Sequence, residues 1–502
     1  MDYFSGIYSG FQVVLQPANF LYCFLGCFIG TLVGVLPGIG PVGAMSILLP
    51  TTFGMTPVSA IVMFGGIFYG AAYGGSTTSI LVNIPGEAVS VVTCIDGYQM
   101  ARQGRAGPAL GISAFGSFIG GTFSVIALMF LVFPLAKAAL SFGPAEYFSI
   151  VLMSMILLIY LAKGSMLKAI VMIIFGLILS TSGADLVSGV QRFTYGSDTL
   201  QDGIGLVPLA MGLFGISEVL SNLEEEDKVD RTFLKTKIAH LLPDLNDWKR
   251  SAGPIARGSI LGFFLGILPG AGGLIASFLS YAVEKRVSKH PEEFGKGAIE
   301  GVAGPETANN SAAGGAFVPL LAMGIPSNVI MAILLGALMI HGVVPGPTLI
   351  SKHPEIFWGT VASMYIGNIM LVILNLPMIG MWVQLLKVPY RVLMPLIILF
   401  CLIGSYSINN NAWEVFIMVF FGLVGYILRK YQYEEAPLVL AFILGPMLET
   451  NFRQAMIISG GRLSVFFTRP ICAGSMILSI ILLVTASLSY YKKAKVRLPS
   501  DV

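Results

Sequence analysis

Phe20-Leu-Tyr-Cys-Phe-Leu-Gly-Cys-Phe-Ile-Gly-Thr-Leu-Val-Gly-Val-Leu-Pro-Gly-Ile-Gly-Pro41 decides the fold. At ~1.5 Å per residue it is long enough and apolar enough to cross most of a bilayer as a helix. It ends in glycine and proline, which do not continue an α-helix. It lies inside 84 residues, between Asp2 and Glu87, that contain no Asp, Glu, Lys or Arg. A second run of 45 such residues separates Glu306 from Lys352, with His341 its only titratable side chain. Each run holds several stretches of the roughly 20 apolar residues that a span needs.

Composition points the same way. The chain has 502 residues, 55% hydrophobic and 11% charged, against about 25% charged in soluble domains. Its mean hydropathy is +0.83. A soluble multidomain protein, a disordered chain and a disulfide scaffold are excluded, since so little charge cannot coat a soluble surface of this size. A transmembrane β-barrel would show ~10-residue alternating strands instead. The reading is an all-α polytopic membrane protein with about 11–14 membrane segments, some of them broken or re-entrant. The stretch 437–449 reads as too short to cross unaided.

Net charge is only +3, which offers no basic face to nucleic acid. Cys23, Cys27, Cys94, Cys401 and Cys472 show no pairing or metal spacing. The N-terminus lacks the basic region of a cleavable signal, so the first apolar helix is expected to remain in place. The main polar interruption, 221–254, carries Lys228, Arg231, Lys235, Lys237, Lys249 and Arg250. The tail 492–502 carries Lys492, Lys493, Lys495 and Arg497. The positive-inside rule makes both cytoplasmic. No Lys or Arg precedes Arg102, so charge does not orient the N-terminus.

The 221–254 linker divides the chain into halves, 1–220 and 255–491, that share motifs. Gly34-Val-Leu-Pro-Gly-Ile-Gly-Pro41 returns as Gly266-Ile-Leu-Pro-Gly-Ala-Gly-Gly273. Ala72-Tyr-Gly-Gly-Ser-Thr-Thr-Ser79 precedes Asn83-Ile-Pro-Gly86, and Ala312-Ala-Gly-Gly315 precedes Gly324-Ile-Pro-Ser-Asn328. Such recurrence reads as two internal repeats, taken as inverted by analogy with other broken-helix carriers. A single Gly/Pro break reads more readily as a packing kink. A matched pair is the strongest sequence pointer to a transporter site.

The candidate site follows from those motifs. Pro37, Gly38 and Gly40, with Pro269, Gly270 and Gly272, break two helices and free backbone groups that suit ions. Ser76, Thr77, Thr78, Ser79, Asn83 and Gly86 form one polar cluster, expected to be unwound. Asn309, Asn310, Ser311, Ser327 and Asn328 form the other. Neutral oxygens of this kind suit a hard cation or hydrogen bonds to a carboxylate. Sodium ligands are sought among Ser76, Thr77, Asn309 and Asn310. Isolated residues such as Ser113 and Ser124 are read as glue between helices. Glu146, Asp185, Glu218, Glu414 and Glu449 lie at or near span ends, where interfacial solvation accounts for most of them. Glu306 abuts the Asn309-Asn310-Ser311 cluster and is singled out to bind a cation or relay a proton. His341 is left out of the site.

Neither a Gly-x-x-x-x-Gly-Lys-[Ser/Thr] loop nor a His-Glu-x-x-His motif occurs, so an enzyme is not expected and no cofactor is implied. Ion-driven transport is the economical reading, with Na⁺ favoured over H⁺ as coupling ion. The alternative is an uncoupled channel or membrane scaffold, neither of which needs a pair of broken helices.

The motifs also carry a resemblance. The matching residues are Gly34–Pro41, Tyr69-Gly-Ala-Ala-Tyr-Gly-Gly-Ser76, Asn83–Gly86, Asp96-Gly-Tyr98 and Gly104-Arg-Ala-Gly107. Further on stand Gly304-Pro-Glu-Thr-Ala-Asn-Asn310, Gly324-Ile-Pro326 and His341-Gly-Val-Val-Pro-Gly-Pro347. Leu444-Gly-Pro-Met-Leu-Glu449 and Asn451-Phe-Arg453 complete the set. Over residues 18–475 the chain resembles the large membrane subunit of the tripartite tricarboxylate transporters. The resemblance implies a bacterial inner-membrane secondary transporter of di- or tricarboxylates such as citrate. It implies a small transmembrane subunit, a periplasmic substrate-binding protein and coupling to Na⁺ or H⁺. Half-helix N–H groups, hydroxyls and Asn amides can hold carboxylates, so no buried arginine is required.

Overall fold

Proline and glycine set the helix boundaries. Pro17 and Pro57 stand in the first turns of their helices, where a missing N–H costs nothing. Thr56 caps the second of these by accepting the Ser59 N–H at 3.2 Å. Two helices end on a left-handed residue, Asn83 (φ 60°) and Gly324 (φ 73°), which stops the helix and turns the chain.

The protein was analysed as a computed structural model. It describes residues 3–36, 40–161, 165–185, 188–225, 241–270, 272–385 and 390–497. The first helices are α1 (Tyr3–Val14), α2 (Pro17–Val35), α3 (Gly40–Leu48), α4 (Pro57–Val82) and α5 (Val91–Arg102). Then come α6 (Ala106–Ala139), α7 (Pro144–Leu161) and α8 (Met166–Ser180). A ribbon of β1 (Gly183–Ala184) and antiparallel β2 (Gln191–Arg192) follows. A π-helical turn, Met211–Ile216, joins α9 (Leu206–Ala210) to α10 (Ser217–Glu225). The second half runs α11 (Leu245–Ile267), α12 (Gly272–Val287), α13 (Glu300–Met323), α14 (Val329–Ile340), α15 (Leu349–Lys352) and α16 (Pro354–Asn375). It closes with α17 (Ile379–Leu385), α18 (Tyr390–Asn409), α19 (Ala412–Lys430), α20 (Glu435–Ile458), α21 (Val465–Thr468) and α22 (Pro470–Arg497). Among the described residues, eight segments are long and apolar enough to cross a membrane, and three shorter apolar helices accompany them. The protein is an all-α, multi-pass membrane protein.

Glycine seams hold the centre together. A Cβ at Gly26, Gly30 or Gly34 of α2 would strike the backbone of Met63, Ile67 or Ala71 of α4. A Cβ at Gly258, Gly262 or Gly266 of α11 would strike Gly304, Ala308 or Ala312 of α13. Each step of four along one helix is a step of four along its neighbour, so the two pairs run parallel with the same stagger. Small-residue faces of this kind let membrane helices approach to backbone contact. As a result α4 is buried from Val58 to Val82, and α13 from Glu300 to Ala322.

Contacts between helix ends give the directions. Gln103 donates to Lys296 O at 2.6 Å, Arg105 pairs with Asp247, and Arg250 pairs with Glu300 at 2.8 Å. Hence α6, α11 and α13 start at one face. Ser76 lies against Glu306 and Tyr69 against Phe317 (ring centroids 5.9 Å), so α4 runs antiparallel to α13. Asn19 accepts from Ser59 at 2.6 Å, so α2 and α4 start together at the opposite face. There α16 starts too, with Gly359 beside Val58. The α11–α12 hairpin returns to its own face, where Arg257 meets Glu284 at 2.5 Å. The two helix breaks therefore enter from opposite faces. Arg469 pairs with Glu146 at 2.9 Å, so α22 starts beside α7 and ends at the face that carries Asp247.

Three expectations change. Ser76–Ser79 and Asn309–Ser311 are not unwound; they lie inside the continuous helices α4 and α13. Their short side chains fold back on the preceding turn, with Ser79 Oγ 2.9 Å from Gly75 O and Asn310 Nδ2 3.2 Å from Glu306 O. That satisfies them without breaking the ladder. The stretch 437–449 is not a short segment but part of α20, a helix of 24 residues. Its polar continuation stays helical because Asn451 donates to Met447 O at 2.7 Å. Arg453 and Arg192 share Asp185 and Glu449 in a closed ring of ion pairs of 2.7–2.9 Å. This ring pins the β-ribbon to α20. Finally, α11 begins at Leu245, inside the stretch read as linker. Residues 226–240 of that linker, with Pro37, Gly38 and the end of the tail, lie outside the described residues.

Gly262→Val should cost at least ~1–3 kcal/mol by overpacking and lower the melting temperature of the detergent-purified protein. Gly474→Ala, where nothing lies within 4 Å, should not. Equal melting of the two variants would show that the seam is not a tight contact.

Candidate functional site

Helices α4, α5 and α13 meet at one carboxylate. Glu306 is 0% exposed. Ser76 Oγ donates to its Oε2 at 2.6 Å, Asn309 Nδ2 to the same oxygen at 3.3 Å, and Thr93 Oγ1 to Oε1. Asn310 Nδ2 lies 2.5 Å from Asn309 Oδ1 and 2.7 Å from Ser117 Oγ, while Asn310 Oδ1 has no partner among the described residues. Among the described residues Glu306 makes no ion pair. Burying a carboxylate without an ion pair is costly, and such a group can hold a proton or a small cation. Hydroxyl and amide oxygens around it are the donors a hard cation takes.

The other candidate residues disperse around this centre. Thr77 is buried in the same turn as Ser76. Thr78 donates to Val35 O at 2.9 Å and Ser79 lies 3.0 Å from Ser90 Oγ. Ser311 donates to Ser259 O at 2.6 Å, Ser327 to Ala316 O at 3.4 Å, and Asn328 caps α14 by accepting the Met331 N–H. Each of these hydrogen bonds is made to a helix or its cap. Asn83 is the left-handed cap of α4. Gly270, after Pro269, donates its N–H to Ser327 O at 2.9 Å, and Gly40 and Gly272 adopt positive φ of 62° and 53°.

The segment 84–90 links the two breaks. Gly86 packs against Gly34, just before the first, and against Gly75 of α4, and Val89 lies 3.1 Å from where a Cβ of Gly273 in the second would stand. Gly40, Pro41, Gly86 and Glu87 line a cavity of about 340 Å³.

Sequence reasoning missed Thr93, Glu87, Ser117 and Asp96. Asp96 is buried, and its Oδ1 accepts the N–H groups of Gly295 (2.8 Å), Gly297 (2.8 Å) and Ala298 (3.0 Å). Its Oδ2 accepts from Tyr281 at 2.9 Å. It ties α5 to the connection that launches α13, and so fixes Thr93 against Glu306. Its only sequence signal was the Asp96-Gly-Tyr98 motif. In the same connection Arg250 holds the Glu293 carboxyl below the usual range. That small stabilisation is present above the ordinary carboxylate pKa and is lost as pH falls through the lowered one.

Asp96→Ala strands three backbone donors, at ~1–3 kcal/mol for each that stays dry. It should lower the melting temperature well below that of Asp96→Asn, which keeps an acceptor oxygen. Identical melting curves would remove Asp96 from this role.

Comparison with known proteins gives three findings. A family model described as the tripartite tricarboxylate transporter TctA family matches residues 20–440. The chain is 50% identical over 488 residues to an uncharacterized 52.8 kDa protein in the TAR-I ttuC' 3'region of Agrobacterium vitis, covering 97% of both chains. It is 53% identical over 227 residues to an uncharacterized protein in the TAR-II ttuC' 3'region of the same organism, covering 45% of this chain and 94% of that one. No solved structure matches.

Proposed function

The chain belongs to the tripartite tricarboxylate transporter TctA family, as its large membrane subunit, and from that premise we propose that it drives uptake of di- or tricarboxylates with an ion gradient across the bacterial inner membrane. The observation that carries the reading is Glu306. Among the described residues it is a buried carboxylate without a counter-ion, ringed by Ser76, Thr93 and Asn309. In this reading it is the coupling-ion site. Na⁺ is favoured over H⁺ because neutral oxygens surround the charge and Asn310 Oδ1 stands spare beside them. The ion neutralises Glu306, so the protein interior tolerates an anionic cargo nearby only when the ion is bound.

The halves 1–220 and 255–491 act as inverted repeats in this scheme. Supporting this, the α2–α4 and α11–α13 seams have the same stagger and opposite direction. The breaks enter from opposite faces, as alternating access about a central site requires. The face bearing Asp247 is assigned to the cytoplasm, since the basic segments 221–254 and 492–502 adjoin helices that reach it. The partners are a small transmembrane subunit and a periplasmic binding protein. A cavity that must release its cargo binds it modestly, so tight capture of dilute carboxylate falls to the binding protein.

In proteoliposomes of the full complex, citrate uptake should require a Na⁺ gradient and tolerate a pH jump, and Glu306→Gln should abolish the Na⁺ dependence. Uptake driven by a proton gradient in sodium-free vesicles would overturn the choice of ion.

Loaded binding protein should restore uptake to vesicles that hold only the membrane subunits at micromolar citrate. If those vesicles are equally fast without it, the three-part reading fails.

A further inference from the structure

We propose that Arg429 is the carboxylate-binding side chain of the cavity beside the first helix break, and that Glu218 occupies it as an internal carboxylate until cargo displaces it. This rests on the carboxylate-transport reading above. The cavity's ~340 Å³ is near the lower end of the roughly 300–1,000 Å³ of small-molecule sites. Its walls come from the first turn of α3, the Gly86–Ala88 segment, Phe214, Glu218 and Arg429. Arg429 is the one basic residue among the described residues that line it.

Two carboxylates hold Arg429. Its Nε donates to Glu435 Oε1 at 2.5 Å, and its Nη1 donates to Glu218. Only Glu218 lines the cavity; Glu435 does not. One edge of the guanidinium is thus anchored away from the cavity, and the carboxylate on the cavity side is the one a ligand can replace. The planar fork has five donors and matches a carboxylate in two-point geometry. In the same lining, the first turn of α3 has N–H groups with no partner inside the helix, at the positive end of the helix dipole. Glu218 has somewhere to go when displaced, since Asn222 Nδ2 already lies 3.3 Å from its Oε1. It also lies two residues past the π-helical turn Met211–Ile216, which carries Phe214 into the same cavity. Such turns recur at functional sites because they re-aim side chains out of α register. Glu87 and Glu218 on the walls make a cation the rival occupant.

The test is citrate uptake against citrate concentration in proteoliposomes of the full complex. Arg429→Gln should raise the half-saturating citrate concentration by about tenfold or more. Glu218→Gln frees the guanidinium and should lower it. A purely structural ion pair predicts the same direction for both variants, because both lose the same bridge. Both shifting upward, or Arg429→Gln leaving citrate unchanged while tightening Na⁺ dependence, overturns the inference. Should Arg429→Gln fail to fold, Arg429→Lys keeps the charge without the fork, and an unchanged half-saturation there overturns it equally. Absence of citrate uptake by the wild-type complex would instead sink the transport reading itself.

Discussion

The backbones of α2 and α4, and of α11 and α13, touch because glycine leaves nothing between them. In lipid there is no hydrophobic gain in bringing helices together, so close packing has to supply the attraction. Everything central follows from that contact. It surrounds α4 and α13 with protein on all sides. It turns their hydroxyl and amide side chains inward, where lipid never meets them. It also leaves the two broken hairpins packed on the flanks of these helices, each entering from its own face.

Burial then sorts the acidic residues by the kind of partner they have. Asp96 receives three backbone N–H groups and a phenol, all held in place by the fold. Glu306 receives only side-chain hydroxyls and an amide, which rotate and can accept a cation as readily as they donate a proton. The first arrangement is fixed by backbone; the second is built from side chains alone. They are joined through α5, since Asp96 and Thr93 stand one turn apart on it. An element that anchors one carboxylate therefore positions a ligand of the other.

The same logic extends to the cavity by α3. Arg429 is compensated twice, once away from the cavity and once within it. A charge held this way is stable in the absence of ligand and still presents a replaceable partner. The α4–α5 turn at 84–90 stands between this cavity and Glu306, touching the helices of both breaks. Glu306 and the cavity are thereby neighbours across one short segment.

Much of this was legible in the sequence. Charge-free runs require a bilayer, and Pro and Gly in mid-span require a break, because both rules act on the local chain. Glu306 beside Asn309 is a local pattern as well, three residues apart on one helix face. The helical state of Ser76–Ser79 was misread because polar side chains compete with the backbone in water, whereas burial turns them back on their own helix. Thr93, Asp96, Glu218 and Arg429 were not legible as site residues. Thr93 meets Glu306 across 213 positions, and Arg429 meets Glu218 across 211. The sequence by itself determined the membrane, the helices and their breaks. Only the tertiary structure decided which polar groups share a partner, because that depends on how closely and in which direction distant helices pack.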